Sequence, residues 1–472
     1  MKVLLVNPQH SIRKPYGSYA KLGSCHPPYG LLCIAGVLEQ NNFSVKIIDA
    51  GRNPDISLDQ IVEQAENFEP DIVGISVYSV GRDQAIETAC LLKEALAVPI
   101  VVGGPHVIIF PEDLMQFDFI DIAVTGEGEI TFLELVKALS SKQGYELIQG
   151  INYKSNGQLF SNGKREFIEN LDTLPYPAFH LLDQITEYSP MPLIYRRAPV
   201  FMLTTSRGCP YSCIYCHALW SKKVRTNSAE YIVGLIDYLV RKFGIKEIIF
   251  YEDTFCYDKE RVLNICKGIK EKKTKISWSC WSHVNDLSKD ILKAMKRAGC
   301  WNISLGIESG NQTVLDIIKK STKIEKIIQV VGWIADAGIK PSAFFMLGLP
   351  IDTKQTIRQT INFAKSLPLY TANFTILHIC PGSKFSEIAH EYGNVDYDFS
   401  LGSGFPEQNL SFVSKGFTPE YLKTMQRRAY IEFFLRPVQI WRLVVMIRSF
   451  DDIKKYFKMF CFFLRFIFKK IK

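Results

Sequence analysis

Three cysteines, Cys209, Cys213 and Cys216, stand in the run Arg207-Gly208-Cys209-Pro210-Tyr211-Ser212-Cys213-Ile214-Tyr215-Cys216, just after an apolar stretch. The CxxxCxxC spacing puts three thiolates, not four, on one short turn. A 4Fe–4S cube has four iron corners, so three thiolates leave one iron free to chelate a small molecule. Zinc fits less well: a structural zinc takes four protein ligands, and the nearest fourth donor, His217, adjoins Cys216 and is badly set to share its ion. Three core cysteines fit less well again, because the surrounding Gly, Pro, Tyr and Ser make an exposed turn.

The chain has 472 residues, 47% of them hydrophobic, which is enough for two or three domains with substantial cores. Its first 140 residues alternate short apolar runs with helical patterns, as a parallel doubly wound (Rossmann-like) α/β sheet does. Strands are expected at Val3–Asn7, Val45–Asp49, Ile72–Val77, Ile100–Gly103 and Asp121–Val124, with helices at Tyr29–Glu39, Leu58–Phe68 and Asp83–Leu96. Ligands of such sheets sit beyond the carboxyl ends of the strands. Residues 141–198 lack sustained periodicity, and Leu171-Asp172-Thr173-Leu174-Pro175-Tyr176-Pro177-Ala178 reads as a connector.

Alternation resumes at Val200–Thr205, Glu247–Tyr251, Ile276–Trp281, Asn302–Ile307, Pro341–Leu347 and Ala372–Ile379, with a helix over Asn227–Phe243 capped by Asn227 and stopped by Gly244. Six such strands suit a partial (β/α) barrel spanning 199–395, whose active site belongs at the carboxyl ends, where the cysteine turn falls. A helical carboxyl-terminal region follows over 396–472.

On the cysteine spacing, with Tyr215 before the last cysteine, the chain resembles the radical S-adenosylmethionine superfamily. The resemblance implies a six-stranded open barrel whose cluster binds S-adenosylmethionine through the free iron. It further implies that Glu252 and Asp253, closing the second strand, contact the methionine ammonium, that Glu308 binds ribose hydroxyls, and that Leu349, in Gly348-Leu349-Pro350, lines the adenine. Tyr215 belongs to the same set. One departure stands out: the third strand ends Trp281-Ser282-His283-Val284-Asn285-Asp286, where relatives commonly carry an arginine.

The amino-terminal 140 residues look like the cobalamin-binding domain that precedes many such barrels. The positions implied for cobalamin are Asn7, Ser76, Tyr78, Gly103, Gly104, Thr125, Gly126 and Glu127. Because the DxHxxG signature is missing, cobalt is expected to have no histidine on its lower face; His10, His26 and His106 read as loop or capping residues. The combination implies a methyltransferase acting on an unactivated carbon or phosphorus, with an oxidative ring cyclase as the alternative. A low-potential donor of flavodoxin or ferredoxin type is implied as partner. The tRNA methylthiotransferases are set aside, since Cys25, Cys33 and Cys90 do not match the extra cluster cysteines of that group. No general acid or base is assigned.

Charge is unevenly placed. From Pro437 to Lys472 there are nine Lys or Arg against two Asp, nearly all of the formal +8 of the chain, so the body is close to neutral and no nucleic-acid groove is expected. Tyr456–Lys470 is aromatic and basic together, the composition of a helix lying in a membrane interface or of a packed helix with snorkelling lysines. A peripheral contact at the inner membrane surface would favour a lipid acceptor over other small molecules. Twelve scattered cysteines and an apolar start too short for a signal peptide point to the cytoplasm. No run of about 18 apolar residues is present to span a bilayer.

Overall fold

A computed structural model describes residues 1–9, 25–53, 56–188, 190–217, 219–396, 410–447 and 450–468. The chain forms two compact units, divided at Tyr188. His10 and Lys469-Lys470 lie outside the described residues.

In the first unit the order is β1 (Lys2–Asn7), α1 (Tyr29–Gln40), β2 (Ser44–Asp49), α2 (Leu58–Glu66), β3 (Ile72–Ser76), α3 (Arg82–Leu96), β4 (Ile100–Gly103), α4 (Pro105–Ile109), β5 (Ile122–Val124), α5 (Gly128–Ser140), β6 (Ile151–Ser155) and β7 (Gln158–Ser161). The sheet runs β2-β1-β3-β4-β5-β6-β7, parallel through β5. Side chains alternate across it. Leu4 and Val6 of β1 join a core under α2 and α3, while Val3 and Leu5 face a second core under α1 and α5. The chain leaves β1 for β2 on one side and continues through β3 on the other, so the order reverses between β1 and β3, and a ligand crevice opens at their carboxyl ends.

Where a structureless connector was expected, β6 and β7 form a hairpin antiparallel to β5. Its inner strand reads Ile-Asn-Tyr-Lys-Ser, too short and polar for periodicity to reveal, and Ile151 and Tyr153 find their core only in the assembled sheet.

In the second unit, β8 (Val200–Leu203) leads to the short strands β9 (Ser206–Arg207) and β10 (Arg225–Thr226), then α6 (Ala229–Phe243), β11 (Glu247–Phe250), α7 (Lys259–Glu271), β12 (Ser277–Ser282), α8 (Lys289–Arg297) and β13 (Cys300–Glu308). There follow α9 (Gln312–Ile317), α10 (Ile324–Asp336), β14 (Lys340–Leu347), α11 (Lys354–Ser366), β15 (Thr371–Ile376), α12 (Lys384–Tyr392), the ribbon β16 (Gly393–Val395) with β17 (Phe412–Ser414), α13 (Pro419–Phe434), α14 (Pro437–Val444) and α15 (Phe450–Phe468). The six main strands lie in the order β8-β11-β12-β13-β14-β15, all parallel. β8 and β15 are edges, so this is an open half-barrel. The cap of α6 is Ser228, which accepts from Tyr231 N, and not Asn227, whose carbonyl instead accepts from Arg261 Nε. Gly244 ends the helix in a left-handed turn as expected.

α13 is tied to α11 by Glu432, which accepts from Arg358 Nη1 and Lys365 Nζ at 2.6 Å each and from Arg428 Nε at 2.7 Å. Burial works to raise its pKa, but the three cations outweigh it and hold the carboxyl at about 2, below its ordinary 4.5. A depressed carboxylate stabilises the fold above its unfolded pKa and loses that contribution as pH falls through the folded value. Glu432→Gln is therefore expected to cost about 2 kcal/mol at neutral pH, a gap that closes between about pH 4.5 and pH 2, read from denaturation midpoints across that range.

Candidate active site

The cysteine turn begins where β8 ends. β9 and β10 pair antiparallel, Arg207 opposite Arg225 and Ser206 opposite Thr226, so the intervening loop leaves and returns at one place. Gly208 opens the loop at φ +100°, and a Cβ there would stand 2.3 Å from the Lys223 carbonyl oxygen, which no side chain tolerates. Cys209 N donates to Ser221 O at 3.2 Å, and Cys216 N to Cys213 O at 3.3 Å. The middle of the loop is pinned on both sides: Ile214 N donates to Ile318 O at 3.1 Å, and Ile214 O accepts from Phe385 N at 2.8 Å.

Cys209 and Cys216 are held protonated without metal. Burial raises Cys209, a Tyr211 backbone N–H lowers it in part, and the Asp253 charge raises it again. Loss of hydration within the loop, then Asp253 and Cys380, push Cys216 up to about 12. Metal loading must therefore displace protons. A cube takes each thiolate on a different iron, so the sulfurs need not converge on one point; among the described residues no three Cys, His, Asp or Glu side chains do. The donor set and its place at the barrel mouth fit a cluster.

Beside the loop lies a buried ion pair. Lys320 Nζ donates to Glu308 Oε1 at 3.0 Å and to Tyr215 Oη at 3.3 Å, and both charged side chains are at most one-tenth exposed. Burial opposes the lysine's charge, but Glu308 outweighs it and keeps the ammonium protonated. Glu308 closes β13 with φ +69°, a left-handed conformation that a non-glycine residue adopts at a cost. The register with β14 shifts between Gly306 and Glu308, and a Cβ on Gly306 would come within 2.5 Å of Glu308 Oε1 and 2.9 Å of Lys320 Nζ. The glycine makes the room that the pair occupies.

Other expected positions divide. Asp253 is exposed at the end of β11, near enough for its charge to reach Cys209 and Cys216. Glu252 is not available to a ligand: its carboxylate accepts from Thr205 N at 2.8 Å and lies 3.8 Å from Arg261 Nη2, both buried. Leu349 is fully buried, and its N–H donates to Asp352 Oδ2 at 2.9 Å, so its side chain belongs to the core. At the third strand, His283 stacks on Tyr211 with centroids 3.7 Å apart, donates from Nε2 to Lys320 O at 3.2 Å and accepts from Asn285 N on Nδ1. Burial, then the Lys320 charge, lower its pKa to about 3, so it is a neutral structural residue and no substitute for an arginine. A buried cation at this mouth is Lys320, which the sequence hides in Lys319-Lys320-Ser321-Thr322-Lys323, a run indistinguishable from a solvated turn. Cys380, after β15, stands outside any motif in the sequence; the His217 backbone N–H reaches its sulfur.

In the first unit, Asn7, Ser76, Gly103 and Thr125 gather at the carboxyl ends of neighbouring strands. Asn7 Nδ2 donates to Asp49 Oδ1 at 2.6 Å, while Asn7 Oδ1 is buried without a hydrogen-bond partner, an acceptor waiting for a donor. Tyr188 Oη donates to the other Asp49 oxygen at 2.6 Å. Gly126 has nothing within 4 Å of where a Cβ would be, Tyr78 is 41% exposed, and Gly104 backs onto Val77. These features fit a flat ligand laid over the strand ends. Glu127 is turned elsewhere: its Oε2 accepts from Ile168 N at 2.7 Å and fastens the segment after the hairpin. His106 is a structural residue, its nitrogens on Ser79 Oγ and Asp113 Oδ2 at 3.0 Å each.

Residues 18–136 match the family model of the B12 binding domain, and residues 203–364 that of the radical SAM superfamily. An uncharacterized methyltransferase of Pyrococcus horikoshii is 35% identical over 454 residues, covering 93% of each chain. The chain belongs to the cobalamin-dependent radical S-adenosylmethionine methyltransferase family. Its cofactors are those of the family: a 4Fe–4S cluster, S-adenosylmethionine and cobalamin. The anaerobic magnesium-protoporphyrin IX monomethyl ester cyclase of Rubrivivax gelatinosus is 27% identical over 406 residues, covering 84% of this chain and 70% of its own. Among solved structures, the cobalamin-dependent S-adenosylmethionine radical enzyme OxsB with aqua-cobalamin and S-adenosylmethionine bound shares the fold at a TM-score of 0.74 and 19% identity, covering 99% of this chain and 72% of that one.

Breaking a buried pair strands the surviving charge, so Lys320→Met is expected to destabilise the metal-free protein by about 3 kcal/mol. Combining it with Glu308→Gln removes that stranded charge and should recover at least half the loss in urea unfolding.

Proposed function

We propose that this enzyme transfers a methyl group from S-adenosylmethionine to an unactivated carbon or phosphorus of a small-molecule or lipid acceptor. The observation that carries the reading is the meeting, at one end of a parallel half-barrel, of a three-thiol loop with the half-buried Tyr215 and the buried Glu308–Lys320 pair. When bound, the cluster and cobalamin supply a reductive cleavage of S-adenosylmethionine to a carbon radical and a transferable methyl group.

The protein's part is to bind and orient. Cys209, Cys213 and Cys216 would hold the cluster as thiolates. The Asp253 carboxylate suits the methionine ammonium. Lys320, fixed by Glu308, offers a buried cation that suits the methionine carboxylate, and the second Glu308 oxygen remains for ribose hydroxyls. Tyr215 keeps its proton, because burial and then the Glu308 charge raise its pKa, so its hydroxyl serves as a neutral donor. Asn7, Ser76, Tyr78, Gly103, Gly104, Thr125 and Gly126 are assigned to the cobalamin crevice, with no histidine offered to the metal by His106. A flavodoxin or ferredoxin is the assigned electron donor.

Replacing the three cysteines by alanine is expected to reduce reconstituted iron from about four atoms per chain to none and to abolish 5′-deoxyadenosine formation. With S-adenosylmethionine labelled in its methyl group, label should appear in the product. An oxidised, ring-closed product free of label would instead assign the cyclase reaction.

A further inference from the structure

The carboxyl-terminal helices dock by one face and leave the other bare. On the docked side, Leu443, Met446 and Tyr456 pack on Trp301 and Tyr370, Gln439 Nε2 donates to Tyr370 O, and Arg442 Nη1 donates to Leu369 O at 2.9 Å. Trp301 is the second residue of β13 and Tyr370 precedes β15, so these helices cover the amino ends of those barrel strands.

The outer side of α14 and its C-cap carries Val438, Ile440, Trp441, Val444 and Val445, each about half exposed or more, with Trp441 at 67%. No charged residue interrupts it. On α15, Phe450, Ile453, Phe457 and Phe460 repeat at helical spacing along one stripe, Phe450 at 72% and Phe457 at 65% exposure. Exposed Lys454 and Lys458 run beside that stripe. A helix facing only water carries the reverse pattern.

We propose that this face is a docking surface for an anionic lipid bilayer, with the aromatic stripe lowered to the acyl boundary and the lysines set among the headgroups. The charge decides the occupant: exposed Lys454 and Lys458 beside the stripe, in a segment whose sequence over 437–472 carries nine cations against two anions, complement an acidic surface, whereas a second copy would set like charges against one another. Among the described residues no helix is long and apolar enough to cross a membrane, so the contact is lateral.

The test is co-sedimentation of the full-length, cluster-loaded protein with vesicles of phosphatidylcholine alone or mixed with phosphatidylglycerol. Capture by the anionic vesicles is expected to exceed capture by the neutral ones about tenfold and to weaken with added salt. Trp441→Glu with Phe457→Glu should abolish it, and Trp441→Ser with Phe457→Ser, a milder change, should reduce it, both with unaltered melting temperature and iron content. Absence of capture by anionic vesicles, or capture that neither pair diminishes, overturns the proposal. So does a lipid-free dimer in analytical ultracentrifugation that the Glu pair dissociates, which would assign the face to a second copy.

Discussion

A half-barrel whose first and last strands do not pair must close its mouth by other means, and here the closure is the backbone of Ile214. Its N–H reaches the segment after β13 and its carbonyl takes an N–H from the start of α12, beyond β15. One residue of the cysteine loop thus ties three loops from well-separated strands. Its neighbours Cys213 and Tyr215 are placed by those two bonds, so the geometry of the thiols depends on the far side of the barrel as much as on their own turn. His217 adds a contact, its Nδ1 lying 2.6 Å from Gly382 O.

The same loop leans on a strained support. Glu308 sits in a left-handed conformation, its charge is buried, and its partner Lys320 comes from the turn after α9. Burying two charges costs solvation that their attraction returns only with good geometry, and here Tyr215 and the gap left by Gly306 provide it. A purely stabilising core would use apolar side chains at such a position. Strain and buried charge together at a strand end are what a binding site retains.

Much of this was legible in the sequence. The parallel strands announced themselves because strands covered on both faces are nearly continuous apolar runs, and Ile72–Ser76, Ile100–Gly103 and Glu247–Phe250 fall within a residue of where those runs lie. The cysteine spacing named its chemistry for the same local reason. What stayed hidden depends on tertiary partners. Glu252 and Asp253 are adjacent carboxylates, and only the fold shows that one turns inward to Thr205 and Arg261 while the other faces out. Glu127 reads as a ligand-loop residue, and only the fold brings Ile168 N, 41 residues on, to its carboxylate. Lys320 carries no local sign of burial, and the hairpin at Ile151–Ser161 gains its core only by pairing with β5.

The seat of α14 and α15 on the amino ends of the strands has a directional meaning. The eight residues of β13 from Trp301 to Glu308 span roughly 23 Å, with the thiol loop at the far end. A protein resting on a bilayer by its tail would hold its cluster pocket aloft, opening toward the aqueous phase. Reductant would then arrive from solution, and a lipid acceptor, which membrane contact alone would favour, would have to leave the bilayer to reach the pocket.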